Sequence, residues 1–211
     1  MSHFAAATEA GFYVGALAGQ SETDIDKSSA DALIRSEFGP VLSSSTDESD
    51  TALGVFAGYQ FLPWLAVEAA YQDLGEATYQ ASTSVFVSPP PRNVPVATEI
   101  KSEVKAASVS ALFIAPLGDQ FALGASLGIA STDAKFTVSA NAPGVPGASA
   151  SDSASQTNTS GVFGVHFEWA PMPQLGVRVQ YQRYKDVGGD SGEDIDGFDV
   201  TVLSASALWR F

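Results

Sequence analysis

Along much of the chain, bulky apolar side chains occupy every second position and small or polar ones fill the positions between. Leu53, Val55, Ala57, Tyr59 and Phe61 share one face, opposite Ala52, Gly54, Phe56, Gly58 and Gln60. The next segment sets Leu65, Val67, Ala69 and Tyr71 against Ala66, Glu68, Ala70 and Gln72. Further on, Phe163, Val165, Phe167 and Trp169 oppose Val162, Gly164, His166 and Glu168. Leu175, Val177, Val179 and Tyr181 then oppose Gly176, Arg178, Gln180 and Gln182. The closing run from Ala205 to Phe211 alternates too, and it stops on an aromatic residue. A period of two is that of the β-strand. The pattern predicts eight strands, near 11–20, 51–61, 64–80, 98–115, 120–139, 159–170, 175–187 and 198–211.

The connections come in two kinds. Phe61 to Trp64, Ala115 to Asp119 and Ala170 to Gln174 are short and carry proline, which sets φ and cannot donate to a strand ladder. Long polar connections are expected near 21–50, 85–97, 141–158 and 188–197. Short turns at one end and long loops at the other are the layout of a transmembrane barrel, and each strand reaches the ~9–11 residues needed to cross the hydrocarbon. Facing points the same way. Glutamate, arginine, histidine and glutamine share a face with small residues, which suits a narrow polar interior, whereas a soluble barrel puts bulky aliphatics inside. Phe56, Leu17 and Leu112 depart from this by falling on the inward register. The predicted fold is therefore all-β, an eight-stranded antiparallel up-and-down transmembrane β-barrel over residues 11–211, with 1–10 as a leader remnant or tail.

Tyr59, Phe61, Trp64, Trp169, Trp209 and Phe211 lie beside the short turns or at the chain end. Together they would form an aromatic girdle at one membrane interface. The alternative is that they are core aromatics of a β-sandwich, which would leave the charges on the opposite face hard to place.

Composition narrows the reading. No run of 18 apolar residues exists, so a helical span is excluded, and 19 glycines with 11 prolines argue against a helix-rich chain. Cysteine is absent, so burial and hydrogen bonds must hold the structure. The net charge of −14 makes nucleic acid a poor partner. The acids gather in stretches such as Ser21 to Asp26, Asp47 to Asp50 and Asp190 to Asp199, which on loops would solvate one end of the molecule. The residues after Met1 lack a basic region and an apolar stretch of signal-peptide type; Ala5-Ala6-Ala7 reads as the remnant of a cleavage region.

Glu68, His166, Glu168, Arg178 and Gln180 form the expected polar network of the interior. Catalysis by it would need a nucleophile, and none is evident beside the histidine. Mutual neutralisation in a confined space explains the same residues, since buried charges persist when paired. No catalytic, cofactor or metal residue is assigned. The acidic stretch Asp190 to Asp199 has oxygen donors for Ca²⁺ but not the spacing of a calcium loop, so a solvated loop is the stronger reading. Val85 to Pro95 is proline-rich and reads as a stiff exposed segment, and Asn141 to Thr159 as a flexible one.

Gly58 to Glu68, Phe167 to Ala170, Val177 to Gln182 and the closing Leu208-Trp209-Arg210-Phe211 resemble the transmembrane domain of the OmpA-type outer-membrane proteins. That resemblance implies a barrel in the Gram-negative outer membrane, without the peptidoglycan-binding domain that often follows it. It also implies assembly by the barrel assembly machinery, which reads the C-terminal strand. The family's interior ion-pair positions fall on Glu68, Glu168 and Arg178, whereas two lysine positions of its best-known member match Leu17 and Leu112. The expected function is a structural membrane component and surface-loop scaffold for interaction or adhesion, with a narrow pore for small solutes or ions as the alternative. Expected partners are outer-membrane lipid, lipopolysaccharide and a surface protein met by the loops.

Overall fold

The computed structural model describes residues 10–24, 35, 41–87, 92–142, 149–188 and 197–211. Among them run nine strands: β1 (Gly11–Thr23), β2 (Val41–Asp47), β3 (Ser49–Leu62), β4 (Leu65–Val87), β5 (Arg92–Pro116), β6 (Phe121–Asn141), β7 (Ser149–Met172), β8 (Leu175–Val187) and β9 (Phe198–Arg210). Every pairing is antiparallel. β1 pairs with β3 on one side and with β9 on the other, and the remaining neighbours follow in chain order, so eight strands close into a ring. Closure leaves no strand edge within the wall, the condition for crossing a bilayer without unsatisfied backbone groups. The seam runs from Tyr13 opposite Arg210 to Thr23 opposite Val200.

Side-chain facing follows the alternation. Val55, Val165 and Val179 are 58%, 55% and 50% exposed, whereas Glu68, Glu168 and Arg178 are 7%, 4% and 2% exposed. An apolar exterior around a charged interior is unstable in water and stable in hydrocarbon. The outward apolar band ends at one level on several strands. Val109 and Ala107 give way to Lys105 on β5, Ile129 and Ser131 to Asp133 on β6, and Tyr181 to Arg183 on β8.

Beyond that level the strands are longer than expected. β4 runs to Val87 and β5 starts at Arg92, so most of the connection expected at 85–97 is strand. Likewise β7 starts at Ser149, inside the loop expected at 141–158 and the flexible stretch expected from Asn141 to Thr159. The connection expected at 21–50 contains β2, which pairs with β4 over Thr78 to Thr83. These segments are rich in Ser, Ala and Thr, and their buried positions, among them Tyr79, Ala81, Thr83, Thr98 and Ser102, mix small polar with apolar residues, so the apolar alternation a period reading detects is weak. Their ladders are propagated from the barrel below, since each added pair satisfies backbone groups. The stiff exposed segment expected from Val85 to Pro95 is corrected in the same way at both flanks, which are strand, while residues 88–91 lie outside the described residues.

One glycine governs this changeover. Gly75 has φ of 83°, and a Cβ there would lie 2.7 Å from that of Asp50. It forms a bulge between Asp73 and Glu76, where β4 gives up β3 as a neighbour and takes β2. Asp50 accepts the backbone N–H of Glu76 at 2.7 Å, closing the bulge. The extra residue reverses the facing of β4, from buried Gln72 and Leu74 to buried Ala77 and Tyr79.

Candidate functional site

The interior has two storeys. In the lower one, near the short turns, Arg178 reaches inward from β8 between two glutamates. Its Nη1 donates to Glu68 Oε2 at 2.8 Å, and its Nε and Nη2 donate to Glu168 Oε2 at 3.3 Å. Register explains the meeting, since Arg178 stands directly opposite Glu168 in the β7–β8 pair. Tyr13 donates its hydroxyl to Glu68 Oε2 at 2.9 Å, and Arg210 completes the set by pairing with Glu168 Oε1. Two arginines thus balance two glutamates in a space screened from water. The Arg178 guanidinium also lies 5.8 Å and 5.3 Å from the ring centres of Tyr13 and Phe56, a favourable cation–π placement.

His166 and Gln180 are opposite one another on β7 and β8, and both are buried. The His166 ring occupies space left by Gly124, where a Cβ would come within 2.4 Å of it, and its Nδ1 has no hydrogen-bond partner. Gln72 and Gln182 link across the interior above, at 3.2 Å. Tyr13 and Arg210 were not picked out from the sequence, and Gln72 and Gln182 were placed on the polar face but not in the expected network. Their signal was there in parity: each falls on the inward register of its strand.

The inward Leu17, Phe56 and Leu112 pack with Tyr13, Ala66 and Leu208 into an apolar cluster beside the ion pairs. Leu17 and Leu112 therefore fill space and bring no alternative ionic partner. The upper storey is mainly apolar: Leu74, Val104, Val162, Tyr184, Val187, Val200 and Val202 form one buried cluster, with Phe136 and Phe198 packed against it and the hydroxyls of Thr132 and Ser160 hydrogen-bonded to each other at 2.9 Å beside it.

On the exterior, Trp64, Trp169, Trp209 and Phe211 are exposed beside the short turns, and Phe61 stacks edge-on against Tyr59, itself edge-on to Phe12. Phe113, Phe121 and Phe167 belong to the same level. At the opposite boundary Asp199 receives Arg183 Nη2 at 2.8 Å and also pairs with Lys185. Burial works against its ionised form, but the hydrogen bonds from Lys185 and Arg183 and from the Asp186 backbone outweigh it and hold the carboxyl below its ordinary range. Asp199 is thus engaged by cations, while residues 190–196 of the acidic stretch considered for Ca²⁺ lie outside the described residues. Among the described residues no group of three or more acidic or histidine side chains is placed to hold a metal.

A closed eight-stranded ring with paired charges inside and an apolar, aromatic-edged exterior defines a small outer-membrane β-barrel. The family model of the OmpA-like transmembrane domain matches residues 7–211, and the chain belongs to that family, whose place is the Gram-negative outer membrane. Among solved structures it is similar to neisserial surface protein A, at 15% identity over 95% of this chain and 97% of that one, with a TM-score of 0.51. It is also similar to Ail, the attachment invasion locus protein of Yersinia pestis, at 15% identity over 97% and 100% with a TM-score of 0.50. The N-terminal β-barrel domain of Pseudomonas aeruginosa OprF shares 9% identity over 96% and 100%, with a TM-score of 0.50. At such identities the likeness is one of fold. No curated protein sequence matches the chain.

Proposed function

We propose that this barrel is a non-catalytic structural component of the outer membrane whose outer end displays recognition surfaces to other cells or proteins. The single observation carrying this reading is the filling of the interior: paired ions in one half and a packed apolar cluster in the other. A wall whose described interior is filled by side chains in both halves is a scaffold first, and recognition on such scaffolds sits on what projects from them. Here β4, β5, β6 and β7 extend well beyond the apolar band and carry mainly polar residues outward. Ail is named for attachment and invasion, so a barrel of this shape is compatible with such a role. Insertion would proceed through the barrel assembly machinery, engaged by the alternating β9.

The test is display of the protein on a non-adherent Gram-negative host. Versions with the segments 88–91, 143–148 and 189–196 each replaced by a short glycine-serine linker are compared for binding to epithelial cells and extracellular-matrix proteins. Binding by the intact barrel that disappears with one replacement, at equal surface abundance, supports the scaffold role. No binding by the intact barrel overturns adhesion.

A further inference from the structure

The outward face of the projecting sheet is divided into three levels. Lowest is the apolar band, represented by Val109, Leu127 and Ile129. Above it lies a charged tier set by register: Lys105 stands opposite Asp73 on one side and Asp133 on the other, and Lys135 stands opposite Glu103. This tier is balanced cross-strand and supplies little net attraction for an anion. Highest is a plate of hydroxyls and amides with one carboxylate, Glu99, which Lys101 approaches to 3.8 Å. Ser45, Gln80, Glu99, Ser139 and Ser151 form one row across β2, β4, β5, β6 and β7, with Ser43, Ser82, Ala97, Asn141 and Ser149 forming the next. Between them lies an open groove of about 520 Å³.

We propose that this plate binds the saccharide of a glycolipid standing in the same outer leaflet, a conclusion that rests on the outer-membrane placement argued above. Several facts on the same face select that occupant. The groove offers hydroxyls and amides with one carboxylate, donors and acceptors suited to sugar hydroxyls. Among the described residues its lining has no Trp, Tyr, Leu or Arg of the kind that anchors a protein partner. Glu99 and the overall charge disfavour phosphate-rich polymers.

Height fits as well. Ten residues separate Ile129 from Ser139; at a rise of about 3.3 Å per residue and a tilt near 40°, that lifts the plate roughly 25 Å above the acyl band. An oligosaccharide several sugars long reaches that level from its lipid anchor. Adjacent strands lie about 4.8 Å apart, close to the width of a sugar ring, so neighbouring polar side chains can address one ring. A plate without a stacking aromatic binds free sugar weakly. The anchored glycolipid removes that handicap, because its acyl chains already sit against the band and the sugar meets the plate at high effective concentration.

The experiment uses the full chain in lipid nanodiscs containing either lipopolysaccharide with its full oligosaccharide or lipid A alone, read by amide and side-chain NMR. Expected are shifts at Gln80, Glu99 and Ser139 with the sugar-bearing lipid and none with lipid A. The shift at Glu99, which the variant retains, should be lost in the triple variant Gln80→Ala, Ser139→Ala, Asn141→Ala, whose folding is checked by its unchanged circular dichroism. The free oligosaccharide at millimolar concentration should move the same signals by a smaller amount. Equal spectra in the two lipids, or shifts confined to other strands, would overturn the proposal. Failure of the cell-binding test with these shifts intact would remove only the adhesion reading.

Discussion

Arg178 shows what one side chain decides in this protein. It is among the most buried residues and is held by carboxylates from two strands. Replacing it with methionine leaves Glu68 and Glu168 facing each other with only Arg210 to offset them. Loss of one partner of a buried ion pair typically costs about 3–5 kcal/mol. Urea unfolding in detergent micelles should show a destabilisation of that size for Arg178→Met. Adding Glu68→Gln restores neutrality, since Arg210 still pairs with Glu168, and most of the loss should be recovered. Equal stability of the single variant and the parent would contradict the buried pairing. Glu68, Glu168 and Arg178 were legible in the sequence because a charge alternating with small residues is conspicuous. Tyr13 and Arg210 were not, because an aromatic and a penultimate arginine look like parts of the girdle until the seam between β1 and β9 turns them inward.

At the scale of the element, the upper ends of β8 and β9 are tied by Asp199 to Arg183 and Lys185. The carboxyl titrates lower in the folded protein than the ~3.9 of an unfolded chain. Its contribution is therefore fully present above that unfolded value and is lost as pH falls through the folded one. The urea midpoint of the parent should drop more steeply below pH 4 than that of Asp199→Asn, which has already lost the tie at neutral pH. Parallel pH profiles would show that the tie adds nothing. Lengths of elements were the least legible feature. The membrane-crossing parts of the strands announce themselves by alternation, but the outer parts of β4 and β5 bury small polar residues beside apolar ones, β2 and the outer part of β7 are largely exposed, and all are recognisable only through their partners.

For the whole molecule, the outward band and the filled interior make separate predictions. An arginine at Leu127, which is 65% exposed and midway along the band between Phe121 and Asp133, should cost about 2–4 kcal/mol in a lipid vesicle. The same change at Thr137, above the charged tier, should be nearly neutral. Similar costs at the two sites would mean the band is misplaced. Planar-bilayer recording addresses the narrow-pore alternative. With two barriers in series, the parent and Arg178→Met should give no steady current, while Arg178→Met combined with Leu74→Ala, Tyr184→Ala and Val202→Ala should conduct. A steady open current from the parent, altered by neutralising Glu68, would favour the pore.

Alternation of side chains by itself determined the strand count of the ring, the facing of its wall and the lipid environment, because burial with period two is a local property of each segment. The identity of the short-turn end followed from proline for the same local reason. What only the tertiary structure decided depends on residues far apart in sequence: the joining of Tyr13, Glu68, Glu168, Arg178 and Arg210 into one neutral cluster, the apolar upper storey, and the continuation of the sheet above the membrane. Cross-strand register brings those groups together, and register is fixed by hydrogen bonds and bulges that no single strand contains.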